Sequence, residues 1–208
     1  SYTKLAGEVL DFNGNVLTSY NGVLTATIFD KPIERQTLAN DGITEAGQEI
    51  ILNFTTLGEV LFKGQATVEN GLFEFDFIVP RDIGIPVGNG KVSFYAQTDS
   101  PLSDQAGSNF DIKIGGINEN APEDNVGPVI NLFMNDENFV SGGITNESPN
   151  LLAKLQDENG INTASGIGHD ITAILDGDET NPFVLNDYYQ ANVDDYTNGV
   201  VSYPFRDL

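Results

Sequence analysis

Apolar and polar residues alternate along much of this chain with a period of two, the pattern of β-strands that bury one face. The clearest example surrounds Asn70 and Gly71, where alternating stretches lie on both sides of the pair. Asn-Gly readily takes the left-handed conformation of a two-residue turn, so this segment predicts a β-hairpin. Its second strand carries Phe73, Phe75 and Phe77 on one face, which we expect to be buried.

Further short strands are predicted where alternating or β-branched stretches are bounded by Gly, Asn, Asp and Pro. In the first half of the chain they are residues 7–12, 24–29, 50–55, 60–63, 92–98 and 110–114. Residues 30–49 lack a strand pattern and are predicted to be a crossover or a mobile loop. About seven short strands separated by turn residues are typical of a β-sandwich.

The composition changes after Ile114, and this change divides the chain. Residues 116–128 are rich in Gly, Asn, Pro and acidic residues, which predicts a linker between a β-sandwich domain at 1–115 and a second one at 129–208. Strands of the second domain are predicted at 129–134, 151–156, 171–175 and 199–203. Four strands fall short of the roughly seven of an immunoglobulin-type sandwich. We therefore predict an all-β protein with two consecutive immunoglobulin-like or fibronectin-like β-sandwich domains, the second one truncated.

The net charge of the chain limits the classes of molecule that it can bind. The chain has 31 acidic and 9 basic residues, a formal net charge of -22, so nucleic acid or an anionic membrane surface would repel it. Residues 116–208 hold 16 of the acidic and 2 of the basic side chains. No uncharged apolar run approaches the roughly 20 residues of a membrane-spanning helix. We expect neither nucleic-acid binding nor membrane insertion. The chain opens without an initiator Met or a secretory signal, and we expect the native protein to continue at both ends.

The sequence offers little for catalysis. It contains no Cys, which excludes a thiolate nucleophile and a Cys-His peptidase centre. Any Ser-His-Asp triad would have to use the one histidine, His169, whose Gly-rich surroundings favour a loop imidazole instead. Carboxylates are so numerous that no particular pair is informative. We expect this chain to have no catalytic residue and no organic cofactor.

Calcium is a better candidate than any reaction, because hard cations take several oxygen ligands. Three clusters of Asp, Asn and Glu lie in predicted loops of the second half, with the candidate ligands Asp136, Asp157, Asp176 and Asp178. The third cluster begins like a helix-loop-helix calcium loop, but its sixth position is Asn181 instead of Gly. Solvated acidic turns are the commoner interpretation of such clusters.

Tyrosines concentrate near the end of the chain. Tyr188, Tyr189, Tyr196 and Tyr203 all fall within the last 21 residues. Exposed together, their rings would form a stacking platform for a carbohydrate. The commoner alternative is that such rings fill the edges of a sandwich. A calcium-stabilised adhesion or carbohydrate-binding module of a secreted surface protein is thus one functional hypothesis.

Several stretches of the chain, taken in order, resemble one protein family. In the first half these stretches are 37–42 (Thr-Leu-Ala-Asn-Asp-Gly), 61–83 and 90–96 (Gly-Lys-Val-Ser-Phe-Tyr-Ala). In the second half they are 127–130, 139–143, 157–162, 168–171 and 185–204. Together they resemble the region that follows the peptidase domain in gingipain-like type IX secretion sortases, the C-terminal signal peptidases of Bacteroidetes.

The resemblance implies a parent protein with an upstream caspase-like cysteine peptidase domain, at the cell surface on the extracellular side of the outer membrane. The family's catalytic Cys and His have no matching positions in this sequence, so no catalytic residue is carried over. The resemblance implies a non-catalytic region that braces its own upstream peptidase domain. It also implies contacts with type IX secretion components or with the C-terminal domains of cargo proteins.

Overall fold

The computed structural model describes residues 1–40, 42–80, 83, 86–120, 123–164 and 170–208. Over these ranges the protein consists of β-strands and one short 3-10 helix at Asn186–Tyr188, and no helix there is long and apolar enough to cross a membrane. The strands are β1 (Tyr2–Glu8), β2 (Gly22–Phe29), β3 (Ile33–Gln36), β4 (Thr44–Glu45), β5 (Gln48–Glu49), β6 (Asn53–Thr56), β7 (Val60–Glu69), β8 (Leu72–Ile78), β9 (Gly88–Asn89), β10 (Lys91–Asp99), β11 (Leu102–Asn109), β12 (Lys113–Ile114), β13 (Val129–Met134), β14 (Asn150–Gln156), β15 (Thr172–Ala173), β16 (Phe183–Val184), β17 (Tyr189–Asn192) and β18 (Asp195–Pro204). The fold is all-β with several sheets, in agreement with the predicted β-sandwich class.

The largest sheet has six antiparallel strands in the order β1-β8-β7-β2-β10-β11. Alternation along β2 puts Leu24, Ala26 and Ile28 on the inner face, where all three side chains are buried. Their neighbours on β10 include Val92 and Ala96, which are buried on the same face. The core of the first half therefore lies on the face that the sequence alternation predicts.

This sheet bends over itself. The ring centroids of Phe73 on β8 and Phe94 on β10 are 5.4 Å apart, although β7 and β2 separate these strands in the sheet order. Neighbouring strands are about 4.8 Å apart, so a flat sheet would hold the two rings roughly three times farther apart. The part of the sheet formed by β1 and β8 thus folds across the part formed by β2 and β10, as the layers of a sandwich do.

The predicted hairpin is confirmed. Strands β7 and β8 meet at Asn70 and Gly71, whose φ angles of 53° and 78° are those of a turn with two left-handed residues. Phe73, Phe75 and Phe77 are all buried, as their shared face predicts. Phe62 of β7 stacks on the last two of these rings, with centroids 5.8 and 5.0 Å away.

A long, irregular hairpin of residues 33–56, here called the arm, extends between β2 and β7. Strand β3 pairs with β6, and β4 pairs with β5 around a turn at Ala46 and Gly47. The prediction of a crossover or mobile loop over residues 30–49 is therefore wrong. The sequence does not predict this turn because Ala46 takes a left-handed φ of 51°, a conformation that Asn, Asp or Gly adopt far more often.

The second half is organised around a four-stranded antiparallel sheet in the order β13-β14-β18-β17. The buried residues of its core include Leu151, Leu155, Val201 and Phe205. Two small two-stranded sheets are formed by β9 with β12 and by β15 with β16. The division of the chain into domains at 1–115 and 129–208, with a linker at 116–128, stays a prediction.

The two halves are joined at one edge of β7. Strand β8 pairs with β7 only beside the turn that joins them. Farther along β7, near Gln65, the edge of β7 is not paired with β8. The turn between β17 and β18 takes its place, because Val193 forms a parallel bridge with Gln65, and the Asp194 amide donates to the Gln65 carbonyl oxygen at 3.0 Å. Phe62 packs against the cores of both halves. The junction is thus a continuous piece of β-structure.

Candidate protein-contact surface

The arm carries a concentration of exposed apolar side chains. Leu38, Leu52 and Phe54 are 81%, 61% and 46% exposed. The other large apolar residues exposed on the arm are Ile43, Ile50 and Ile51. Single exposed apolar residues are normal, but a contiguous set of them on one projecting element is typical of a protein-contact surface.

Few side chains of the arm are buried, so its conformation depends on hydrogen bonds of the backbone. The Thr37 amide donates to the Leu52 carbonyl oxygen at 3.0 Å, and the Leu52 amide donates to Thr37 Oγ1 at 2.9 Å. These bonds bridge the gap between the β3–β6 and β4–β5 ladders. The apolar side chains are therefore presented on an ordered element.

The base of the arm is fixed by polar contacts. Lys31 Nζ lies 2.6 Å from Asp30 Oδ1 in a half-buried ion pair, and it also donates to the Ile114 carbonyl oxygen at 3.4 Å. On the other limb, a Cβ at Gly58 would collide with the carbonyl oxygens of Asp30 and Lys31. The close approach permitted by Gly58 lets the two limbs leave the sheet side by side.

The structure does not gather the candidate calcium ligands into one site. Asp136 Oδ1 accepts from the Asn138 amide at 2.7 Å, and Asp157 Oδ1 accepts from the Asn159 amide at 2.8 Å. Asp176 lies in a turn with a φ of 52°. Among the residues that the structure describes, no three His, Cys, Asp or Glu side chains come together to hold a metal ion. A calcium site at these positions stays a prediction.

Asp178 shows what these carboxylates do instead. Its Oδ1 accepts from the amide and the hydroxyl of Thr180 at 3.0 and 2.6 Å, and its Oδ2 accepts from Asn181 Nδ2 at 2.8 Å. These hydrogen bonds, led by the one from the Thr180 side chain, hold the pKa of Asp178 below its ordinary value. The carboxylate stabilises its own turn, as Asp commonly does in loops.

The four tyrosines near the end of the chain do not form one platform. Tyr189 is buried, and the Tyr188 and Tyr203 rings meet edge to face at 4.7 Å. Tyr196 instead faces Tyr2 of the first half, with ring centroids 6.3 Å apart. Tyr189 lies in the core and Tyr203 packs against it, whereas Tyr188 is 42% exposed. A carbohydrate-binding role stays a prediction. His169 lies outside the described residues.

Sequence reasoning missed Asp194, which connects the two halves. Its Oδ1 accepts from the Thr67 amide at 2.8 Å and its Oδ2 accepts from the Thr67 hydroxyl at 2.6 Å. Asp194 has a left-handed φ of 55° at the turn between β17 and β18. An Asp-Asp pair before a strand could have indicated a turn, but its partner 127 residues away leaves no local signal.

The fold defines an all-β region of several antiparallel sheets that carries an exposed apolar arm. A search of solved structures finds it similar to part of PorU from Porphyromonas gingivalis, in a crystal structure of the dimeric latent protein. The identity is 32%, the TM-score is 0.55, and the match covers 100% of this chain and 19% of that one. The chain is thus similar to one region of PorU and spans about a fifth of the length of that chain.

Two other comparisons gave no match. No family model matches the chain. No curated protein matches it either.

Proposed function

We propose that this chain is a non-catalytic β-sandwich region of a cell-surface type IX secretion sortase or signal peptidase. The observation that carries the proposal is the similarity to PorU at 32% identity along the whole chain. The order of resembling stretches in the sequence supports the same parent. In this proposal the chain braces the peptidase domain and holds it on the extracellular side of the outer membrane.

The arm supports a role in protein contacts. Its apolar side chains are exposed on an element whose base is fixed, so a partner can bury them with little ordering of the chain. In this proposal the partners are the upstream peptidase domain, other type IX secretion components or the C-terminal domains of cargo. Solvent-exposed Leu and Phe contribute to binding mainly when a partner desolvates them.

The experiment compares two double variants in the full-length parent protein. Leu38→Ser with Leu52→Ser removes apolar surface from the arm, whereas Leu102→Ser with Val126→Ser removes equally exposed apolar surface elsewhere. Two assays are run, cleavage of a short soluble peptide and processing of cargo at the cell surface. The soluble peptide reports the peptidase centre, and the cargo reports contacts outside it.

We expect the arm variant to cleave the short peptide at the normal rate and to process cargo about tenfold more slowly, because a total loss of about 1.4 kcal/mol, which one or two central contact residues can supply, corresponds to a tenfold change. The control variant should match the wild type in both assays. Normal cargo processing by the arm variant would contradict the role given to the arm.

A further inference from the structure

Strand β13 forms the outer edge of the four-stranded sheet. Its side chains are mostly apolar, although edge strands usually carry features that prevent pairing with another chain. It pairs with β14 alone among the described strands. Val129, Ile130 and Leu132 are 59%, 55% and 63% exposed, and the strand contains no charged residue. Proteins normally protect such an edge with charges, Pro, bulges or a covering segment.

Two of the exposed side chains of β13, those of Ile130 and Leu132, continue the core face of its sheet. Ile130 lies opposite Leu155 and Leu132 lies opposite Ala153, and both partners on β14 are buried. Residues directly opposite in an antiparallel pair share a face of the sheet. The buried face of the four-stranded sheet therefore extends to the edge, where it is uncovered.

The backbone groups of β13 that point away from β14 belong to Ile130 and Leu132, the residues whose side chains extend the core face. The Asn135 amide donates to the Asn150 carbonyl oxygen at 2.7 Å, which marks Asn135 as facing β14. Because successive residues of a strand direct their backbone groups to opposite sides, Leu132 and Ile130 direct their N–H and C=O groups away from β14. An added strand would pair with these groups and cover the two apolar side chains.

The other edge strands of the two large sheets, β1, β11 and β17, are not both apolar and uncovered. Edge strand β1 carries Lys4, whose Nζ lies 3.0 Å from Glu74 Oε1, and β11 is mostly polar with one large apolar residue, Leu102. Strand β17 ends in a bulge at Ala191 and Asn192 and packs against β7. Among the edges of the two large sheets, β13 combines exposed apolar side chains with an uncharged strand.

Charge selects the occupant of this edge. Glu123 and Asp124 precede β13, and Asp136 and Glu137 follow it. Glu137 forms an ion pair with Lys154 at 2.7 Å, which occupies one of the 2 basic side chains of the second half, so Glu123, Asp124 and Asp136 supply the net negative charge beside β13. Such a field attracts a cationic segment and opposes a second copy of this chain, which carries a net charge of -22.

We propose that β13 binds an extended, cationic segment of a partner polypeptide, which adds to the sheet as a fifth strand. Backbone pairing with Ile130 and Leu132 supplies affinity, and the acidic residues at both ends of β13 select Lys or Arg beside the paired stretch. This inference goes beyond the proposed function and does not depend on the identity of the parent protein.

The test uses the 208-residue chain and three synthetic peptides. The first peptide is Lys-Lys-Val-Thr-Val-Thr-Val-Lys-Lys. The second replaces every Lys by Glu, and the third keeps Lys but carries N-methyl groups on its Val residues, which block pairing along one edge. Binding is measured by fluorescence anisotropy, and the position of binding is measured by hydrogen exchange of the β13 amides.

The matched variants are Leu132→Pro and Ile144→Ser. Proline at position 132 removes an outward amide and leaves the pairing with β14 intact, whereas Ile144 is fully exposed outside the strand. Leu132→Lys serves as a second edge variant, because it keeps the backbone amide but adds a like charge against a cationic peptide. Melting temperatures of all variants establish that they are folded.

We expect the Lys peptide to bind and to protect the amides of Ile130 and Leu132, with at least about tenfold weaker binding by the Glu and N-methyl peptides. Both edge variants should lose about tenfold in affinity, and Ile144→Ser should not. No binding of the Lys peptide, equal binding of the Lys and Glu peptides, or unchanged affinity of the edge variants would overturn the proposal. A dimer of the free chain that Leu132→Pro dissolves would overturn it as well, by assigning the edge to a second copy.

Discussion

Two short segments in the second half, the turn at Asp178 and the start of β18 at Asp195, use the same arrangement of side chains. In Asp195-Tyr196-Thr197-Asn198, Asp195 Oδ1 accepts from the Thr197 amide and hydroxyl at 2.9 and 2.6 Å, and Oδ2 accepts from Asn198 Nδ2 at 2.9 Å. The turn at Asp178 has the same pattern with Thr180 and Asn181. The repeated Asp-x-Thr-Asn spacing shows that each of these two carboxylates organises its own backbone segment through side-chain hydrogen bonds.

Asp195 should make stability depend on pH. The hydrogen bond from the Thr197 side chain is the main cause that lowers the pKa of Asp195 below its ordinary 3.8. Its stabilising contribution is therefore complete above pH 3.8 and is lost as the pH falls through the lower folded-state pKa. We expect Asp195→Asn to cost about 1 kcal/mol at about pH 7 and progressively less as the pH falls below the ordinary pKa of Asp, as measured by urea unfolding at about pH 7 and about pH 3.

The control for this experiment is Glu179→Gln, an exposed carboxylate next to Asp178, which should change little at either pH. A cost of Asp195→Asn that is equal at both pH values would show that the ionised carboxylate is not the stabilising species.

Gly199 tests the packing around Tyr189. A Cβ at Gly199 would collide with the ring and hydroxyl of Tyr189, which is 2% exposed and cannot move aside easily. We expect Gly199→Ala to lower the free energy of unfolding by about 1–3 kcal/mol through overpacking.

Gly107→Ala is the matched control, because Gly107 also lies in a strand but its Cβ would meet no atom within 4 Å. This variant should be neutral or should gain up to about 1 kcal/mol from the lower backbone entropy of Ala. Equal effects of the two substitutions in urea unfolding would contradict the packing described for Tyr189.

At the scale of the elements, the sequence predicts strands well where local signals agree. The hairpin at Asn70 and Gly71 combines a favourable turn pair with alternating neighbours, and strands β2, β10 and β14 have strong period-two patterns. Strand β11 was missed because its residues are mostly polar and exposed, so it lacks the alternation of a half-buried strand. Strand β17 was missed because it is four residues long.

The exposed apolar arm was harder to predict than the strands of the two large sheets. Ile50, Leu52 and Phe54 alternate, but Ile51 lies between them and all four side chains are exposed, since neither face of the arm packs against the core. The predicted strand at 110–114 is reduced to β12, and the predicted strand at 7–12 lies instead at Tyr2–Glu8. In each case the boundary depends on the partner strand, which a local pattern does not contain.

The junction between the two halves should depend on Asp194. Asp194→Gly suits the left-handed backbone and removes both hydrogen bonds to Thr67. We expect a loss of about 1–2 kcal/mol in the free energy of unfolding and faster hydrogen exchange at the Thr67 amide. Asp194→Asn keeps one acceptor and should show a smaller loss.

A double-mutant cycle with Thr67→Val separates this contact from other effects. The two substitutions should be non-additive by about 1 kcal/mol, because each removes the same hydroxyl–carboxylate bond. Additive losses would show that the bond between the Thr67 hydroxyl and the Asp194 carboxylate does not stabilise the junction.

At the scale of the whole molecule, the charge is the dominant physical feature. A net charge of -22 opposes the compact state, and salt screens this repulsion over about 8 Å at physiological ionic strength. We expect the melting temperature to rise between about 10 mM and about 150 mM sodium chloride. Potassium chloride should give the same rise, because the effect depends on ionic strength, and a flat profile would show that the charges lie too far apart to interact.

The central claim is that this chain is an accessory region of a larger surface peptidase, and the most direct test is to sequence its gene on both sides of the encoded segment. We expect the same reading frame to encode, upstream, a domain with Cys and His in caspase-like order behind a secretory signal. A reading frame that instead repeats acidic β-sandwiches and has no peptidase domain would contradict the claim and favour an adhesion protein.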